Sequence, residues 1–200
     1  DQIIASNGFG LKAMLEAAGA RVRMLPIARD NAAELRQVFA LAEGADLVVT
    51  IGGASVGDHD LVAPVAAELG LEQSFYKVAM RPGKPLMAGR LGAAAMVGLP
   101  GNPVSSLVCG QIFIVPMLRA MLGLGAQPAE RHTAVLSEDI AANGAREHYM
   151  RAVIEDGQIR PLPRQDSALL SILQQASALL RRPVDDPARK AGERVEYIAL

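Results

Sequence analysis

Two glycine-rich stretches, each set between an apolar run and a helical pattern, hold the residues of this sequence best suited to chemistry. Thr50-Ile51-Gly52-Gly53-Ala54-Ser55-Val56-Gly57-Asp58-His59-Asp60 follows Leu47-Val48-Val49, a run with the continuous apolar character of a parallel strand buried on both faces. Gly52, Gly53 and Gly57 let backbone N–H groups approach a ligand, and the helix start that follows adds partial positive charge, so the stretch reads as an anion-binding loop. Its spacing is neither Gly-x-Gly-x-x-Gly nor the P-loop pattern. Taken alone, a tight strand-to-helix connection explains the same glycines equally well. The second stretch, Gly98-Leu99-Pro100-Gly101-Asn102-Pro103-Val104-Ser105-Ser106, follows Ala94 to Val97 and opens a long helical pattern through Leu107, Val108, Gln111, Ile112 and Val115. Pro103 suits a first helical turn, Asn102 an N-cap, and the hydroxyls of Ser105 and Ser106 fall in that turn. Two such loops at the carboxyl ends of strands face one crevice, where ligands bind in open α/β sheets.

Between the loops, Arg81 and Lys84 flank a Pro-Gly turn that points both cations the same way. A solvated turn accounts for them in isolation; their place between two anion-type loops favours an oxyanion site. Asp58 and Asp60 can divide the roles of helix cap and ligand to a hard cation such as Mg²⁺, with the cap falling to Asp58 and the metal to Asp60. A helix cap fully explains Asp30. Ser55 has no nearby His and Asp to activate it, so it reads as a hydrogen-bond donor to an anion and not as a nucleophile. His59, His132 and His148 have no partners at metal-ligand spacing, which argues against a zinc site of the usual His/Cys type.

The elements that must position these groups alternate. Gln2 to Ala5 leads to a helix capped at Ser6-Asn7, with Leu11, Met14, Leu15 and Ala18 inward and Gly19 at its end; Arg21 to Ile27 reads as a strand. Asp30-Asn31 caps a helix with Leu35, Val38 and Phe39 inward, then comes the strand from Asp46 and a helix on Leu61, Val65 and Leu69. This order predicts a parallel sheet with helices on both faces. Gln73 to Met80 and Pro85 to Gly89 add extended segments, and Pro116 should kink the long helix. Breakers at Gly123 to Pro128 mark a domain boundary, giving an α/β domain over 1–126 and a small β-rich domain over 127–200. The latter holds strands at Thr133–Leu136, Glu147–Ile154, Gln158–Leu162, Leu179–Pro183 and Glu193–Ala199, turns at Asn143-Gly144 and Asp156-Gly157, and a short helix within Ser167–Gln175. The net charge of −1 and pI of about 6.4 leave no basic stripe for nucleic acid. No apolar run approaches the roughly 20 residues that span a bilayer, and Cys109, the single cysteine, reads as a buried core residue in a reducing compartment. A soluble, cytoplasmic protein is expected.

Ser55 to Asp60, Met80 to Pro85 and Gly98 to Ser105, in this order and spacing, together resemble the molybdopterin molybdenumtransferase family, called MoeA in bacteria and represented by the gephyrin E domain in animals. Ser6-Asn7, Arg29-Asp30 and Ala191 to Glu196 extend the resemblance over nearly the whole chain. It implies the last step of molybdenum cofactor synthesis, in which molybdate is inserted into adenylated molybdopterin and AMP is released with help from Mg²⁺. Gly52, Gly53, Ser55, Gly57, Gly98, Pro100, Gly101, Asn102, Pro103 and Ser105 would then hold the pterin phosphates. Asp60 and Asp30 would manage metal or the adenylate bond, and Arg81 and Lys84 would attract molybdate. Arg81 stands where relatives commonly carry Lys, which exchanges a point charge for a planar fork, and Asn31 replaces a second acidic residue. The resemblance also implies a molybdopterin adenylyltransferase upstream, a homodimer in the full-length protein, and a long N-terminal region ahead of Asp1, of which this chain would be the following fragment. An adenylyltransferase-like enzyme and a non-catalytic pterin-binding scaffold are the rival readings. Asp60→Asn is expected to leave the fold intact and abolish molybdate insertion; an unchanged insertion rate would remove Asp60 from the metal-ligand role.

Overall fold

The computed structural model describes residues 6–29, 31–53 and 61–200. Helix α1 (Asn7–Ala17) starts at Ser6, which makes no side-chain capping bond, and gives way to Gly19 at φ 96°. Residues 20–29, expected to include a strand, carry no regular structure, and Met24 and Ile27 are exposed. The alternation there provides two faces, but a strand also needs a ladder partner and a core for its apolar face. Helix α2 (Ala32–Leu41) begins with an N-cap: Glu34 N–H donates to Asn31 Oδ1 at 2.8 Å, and the Glu34 carboxylate reaches back to accept from Arg29 N–H at 3.0 Å. Asn31 thus does the capping; Asp30 lies outside the described residues.

The first sheet contains β1 (Leu47–Ile51), β2 (Leu71–Tyr76), β4 (Met87–Leu91) and β5 (Ala94–Leu99) in the order β1-β5-β4-β2, with α3 (Val62–Glu68) between β1 and β2. Only β1 and β5 run parallel, in register from Leu47 opposite Ala95 to Ile51 opposite Leu99; β4 is antiparallel to both β5 and β2. The expected parallel sheet is therefore a mixed one. The cause is chain length, because only Gly92 and Ala93 join β4 to β5, which allows a hairpin and no crossover. Helices cover both faces. Leu47, Val49, Val97 and Leu99 join Leu11, Leu15, Val104 and Val108 in one core, while Val48, Ala94 and Met96 join Phe39, Val65 and Ala66 in another, as the period-two alternation of strand side chains requires.

The long helix consists of α4 (Pro103–Cys109), a π-helical turn (Gly110–Ile114) and α5 (Val115–Met121). The disturbance expected at Pro116 takes the form of that π turn, since proline cannot donate to the carbonyl four residues back and its ring crowds it. Gly110 lets α1 come close: a Cβ there would stand 2.8 Å from Leu11 Cδ2. Contrary to the sequence expectation, this 19-residue unit, of mean hydropathy 1.6, is long and apolar enough to cross a membrane. Here its Val104, Val108, Cys109, Ile114 and Leu118 are buried in the core against α1 and the sheet.

The second sheet takes β3 (Met80–Arg81), β6 (His132–Leu136), β7 (Glu147–Glu155), β8 (Gln158–Pro161), β9 (Ala178–Arg182) and β10 (Arg194–Ala199), in the order β3-β7-β8-β6-β10-β9. An additional β7–β9 pairing, Met150 opposite Leu180 at its centre, closes the last five strands into a ring, which removes exposed ladder edges. Leu136, Ala152, Ile159, Ala178, Leu180 and Val195 fill it. Asp156 and Gly157, at φ 50° and 76°, turn β7 into β8, and α6 (Leu170–Gln175) precedes β9. Beside the bulge between Gln73 and Phe75, a Cβ on Gly89 would lie 2.5 Å from the Glu72 carbonyl and 3.0 Å from Gln73 Cα, both backbone atoms. Gly89→Ala is expected to cost about 1–3 kcal/mol, read as a lower urea midpoint at unchanged m value; an unmoved midpoint would show that β2 and β4 separate freely.

Candidate anion-binding site

The carboxyl ends of the parallel pair β1–β5 bring the two glycine loops together. Gly52 N–H donates to Leu99 O at 2.9 Å, and a Cβ on Gly101 would stand 3.6 Å from Gly52 Cα. Gly52 and Gly53 adopt φ of 78° and 69°, where a side chain strains the backbone. Asn7 Nδ2 donates to the Gly101 carbonyl at 2.7 Å and ties α1 to the second loop. Asn102 occupies the N-cap of α4, yet its Nδ2 donates to Ser167 Oγ at 3.0 Å, while Val104 N–H donates to Ser167 O at 3.0 Å. Pro103 opens α4, and Ser105 behind it is buried. Gly98 lies inside β5, where a Cβ would press on Met87 Cε at 2.9 Å, and Pro100 is buried. Ser55, Gly57 and Asp60 fall outside the described residues, as does Asp30.

The Pro-Gly turn belongs to the second sheet. Met80 lies opposite Glu147 and Arg81 opposite His148 in a parallel ladder, and Glu147 N–H donates to Ala79 O at 2.9 Å. Pro82, joined to Arg81 by a cis peptide, and Gly83, at φ 113°, are buried under the exposed Arg81 and Lys84. A Cβ on Gly83 would run into Cys109 Sγ. Burial pushes the Cys109 thiol up to about 12, so this cysteine packs the turn from below as a neutral group.

Arg81, Lys84, Asn102 and Ser105 line a cavity of about 410 Å³ together with Arg146, His148, Gln165, Asp166 and Ser167. Three cations face one carboxylate, and Asp166 Oδ1 already accepts from Ala168 N–H at 2.9 Å. Below the Gln165–Asp166 wall lies Arg151, fully buried. Its Nη2 donates to Asp166 O at 3.3 Å, and its backbone exchanges bonds of 2.9 Å with the Gln165 amide. Among the described residues its Nε and Nη1 find no hydrogen-bond partner, and burial lowers its pKa against the opposing charge of Asp166. A buried, only partly hydrogen-bonded guanidinium is costly, and the nearby Asp166 carboxylate offsets part of that cost. His148 is lowered to about 3 by burial and then by Arg81, Arg151, Arg182 and Arg146; it is neutral near pH 7, and the arginines and Lys84 carry the positive charge.

Sequence reasoning missed Arg146, Arg151 and the 165–167 wall, because these residues sit on or beside strands that were read only as a β unit. The available signal was Arg151, a charge in the middle of the run Tyr149 to Ile154, with Arg146 just ahead of the strand. A larger cleft of about 550 Å³ runs past Ile112, Phe113, Met117 and Tyr149. Its Arg131 and Glu147 carry opposite charges, so it lacks the positive excess that an oxyanion requires. Among the described residues, no three His, Cys, Asp or Glu side chains are grouped to hold a metal ion.

Residues 1–120 match the family model described as "Probable molybdopterin binding domain", and residues 133–200 match the MoeA C-terminal region (domain IV). The chain belongs to the MoeA family of molybdopterin-binding proteins. It is 33% identical to molybdopterin molybdenumtransferase 2 of Mycobacterium tuberculosis over 98% of its own length and 50% of that relative's. To the molybdopterin molybdenumtransferase of Haemophilus influenzae it is 36% identical over 79% of its length and 40% of that relative's. The molybdopterin biosynthesis MoeA protein of Pyrococcus horikosii superposes over 99% of this chain and 48% of its own, with a TM-score of 0.84 and 28% identity. The chain thus spans about half the length of the curated relatives it matches.

Since the folded pKa of His148 lies below the unfolded value of 6.5, its contribution to stability is complete above that pH and is lost as pH falls towards 3. It should remove on the order of 2 kcal/mol between about pH 6.5 and 5. Urea titrations at both pH values should show this slope in the parent and lose it in His148→Gln; an equal slope in the variant would assign the titration elsewhere.

Proposed function

We propose that this chain forms the oxyanion and pterin-nucleotide side of a molybdopterin molybdenumtransferase, where molybdate is inserted into adenylated molybdopterin and AMP leaves. The observation that carries the reading is the cavity in which Arg81, Lys84 and Arg146 converge, beside the buried and only partly hydrogen-bonded Arg151. A tetrahedral dianion suits it, because planar guanidinium forks and a point-charge ammonium donate from fixed directions. The glycine loops beside it offer backbone N–H groups to the nucleotide phosphates. Positive groups held in place would also stabilise charge that develops on the adenylate phosphate as its anhydride bond breaks.

Asp60 and Asp30 carry the proposed metal and adenylate roles on the sequence motif alone. The described carboxylates do not build a Mg²⁺ site. We also propose the division into an α/β domain over 1–126 and a β-rich domain over 127–200, with β3 reaching from the first into the sheet of the second. Cytoplasmic location, a homodimer in the full-length protein and supply of substrate by an adenylyltransferase complete the proposal. Enclosure of the cavity by β7 and Ser167, on the β-rich unit, disfavours an adenylyltransferase built from the α/β domain alone.

Equilibrium dialysis of the 200-residue chain against molybdate tests the anion site. Arg81→Ala and Lys84→Ala should each weaken retention about five- to tenfold, the loss of one charge-assisted contact; parent-like affinity in both would return the two cations to the solvated-turn reading. Incubated with adenylated molybdopterin, Mg²⁺ and molybdate, the chain, which spans about half the length of its relatives, should bind the nucleotide weakly and release little AMP, since turnover depends on fixed geometry more than affinity does. AMP release matching a full-length relative would place the whole site within these residues.

A further inference from the structure

We propose that Asn143 is the positioning residue that aims Arg81 into the cavity and sets the backbone from which Arg146 enters it, an assignment that rests on reading the cavity as an oxyanion site. The Asn143 amide has two donor hydrogens and one acceptor oxygen. Its Nδ2 is surrounded by three carbonyls, those of Pro183 at 2.6 Å, Arg146 at 2.8 Å and Arg182 at 3.3 Å. Only a nitrogen fits among three acceptors, so the orientation of the amide is fixed and Oδ1 points the other way. There it accepts from Arg81 Nη2 at 3.0 Å.

The base to which Asn143 is anchored is firm. Its backbone N–H donates to Asp186 O at 2.8 Å, and Asp185 N–H donates to Gly144 O at 3.0 Å. The Arg182 and Pro183 carbonyls end β9, where the buried Arg182 guanidinium pairs with Asp186 and donates to the Ala141 carbonyl at 3.0 Å. Arg81, in contrast, is exposed, and an exposed arginine samples many rotamers unless a partner selects one. Fixing one Nη2 hydrogen fixes the plane of the whole fork, because the guanidinium is rigid. The remaining N–H groups are then presented to the anion in a constant direction. The same Asn143 amide holds the Arg146 carbonyl, so one side chain registers two of the three cations that line the cavity.

The test reads Arg81 directly and separately from anion binding. Side-chain ¹⁵N NMR of the 200-residue chain should show a restrained Arg81 guanidinium in the parent and a freely rotating one in Asn143→Ala. Molybdate affinity should fall about three- to tenfold in that variant, the worth of one hydrogen bond, and should fall no further when Asn143→Ala is added to Arg81→Ala. Asn143→Asp separates positioning from folding: it keeps the acceptor for Arg81 and removes the donor to three carbonyls, so it should lower the melting temperature while Arg81 stays restrained. An Arg81 signal that is unchanged in Asn143→Ala, or an affinity loss of equal size with and without Arg81, would overturn the proposal. Should Asn143→Ala not fold, loss of Arg81 restraint in a folded Asn143→Asp would overturn it instead. A freed Arg81 in Asn143→Ala with no molybdate binding by the parent would sustain the positioning role and sink the oxyanion reading.

Discussion

Two residues of parallel pairing, Met80 and Arg81 of β3 against Glu147 and His148 of β7, decide where the charges of this protein stand. The pairing draws a turn from the α/β half of the chain into the sheet of the β-rich half and sets Arg81 next to the strand that carries Arg151 and follows directly on Arg146. A slip of one residue would turn Arg81 to the other face, since side chains alternate along a strand. Cys109 and Gly83 hold the turn from below, and their contact leaves no room for a Cβ. The second glycine loop reaches the same place from the other side, through Asn102 and Ser167. The cavity is therefore a product of three separate fastenings and of no one element.

The electrostatics divide sharply between satisfied and unsatisfied charge. Burial pushes the Glu147 carboxyl up, but hydrogen bonds from Arg181 and Tyr149 and the nearby guanidinium charges outweigh it and hold it below the usual carboxylate range. Asp186 follows the same pattern between Arg182 and Arg189. Such pairs close the ring of strands without leaving a buried charge alone. Arg151 breaks the pattern, with two guanidinium nitrogens unpartnered beneath the cavity.

Local pattern determined much of this molecule. The second glycine loop, the strand Ala94–Leu99, the helix from Pro103, the five strands of the β-rich unit and its Asp156-Gly157 turn all follow from periodicity and turn chemistry within a few residues, and Cys109 is buried as its helical position implied. The mixed sheet was also legible in principle, because two residues between β4 and β5 leave no length for a crossover. Arg21 to Ile27 shows the limit: alternation gives a strand its faces but not a neighbour to pair with. Tertiary structure alone joined Asn102 to Ser167, 65 residues on, and Arg81 to Asn143, 62 residues on. It alone buried Arg151 and set Arg146 and His148 into the cavity. Those contacts depend on the register of β3 on β7 and on closure of the strand ring, and a register is chosen by the summed packing of many distant side chains, which periodicity along one segment does not encode.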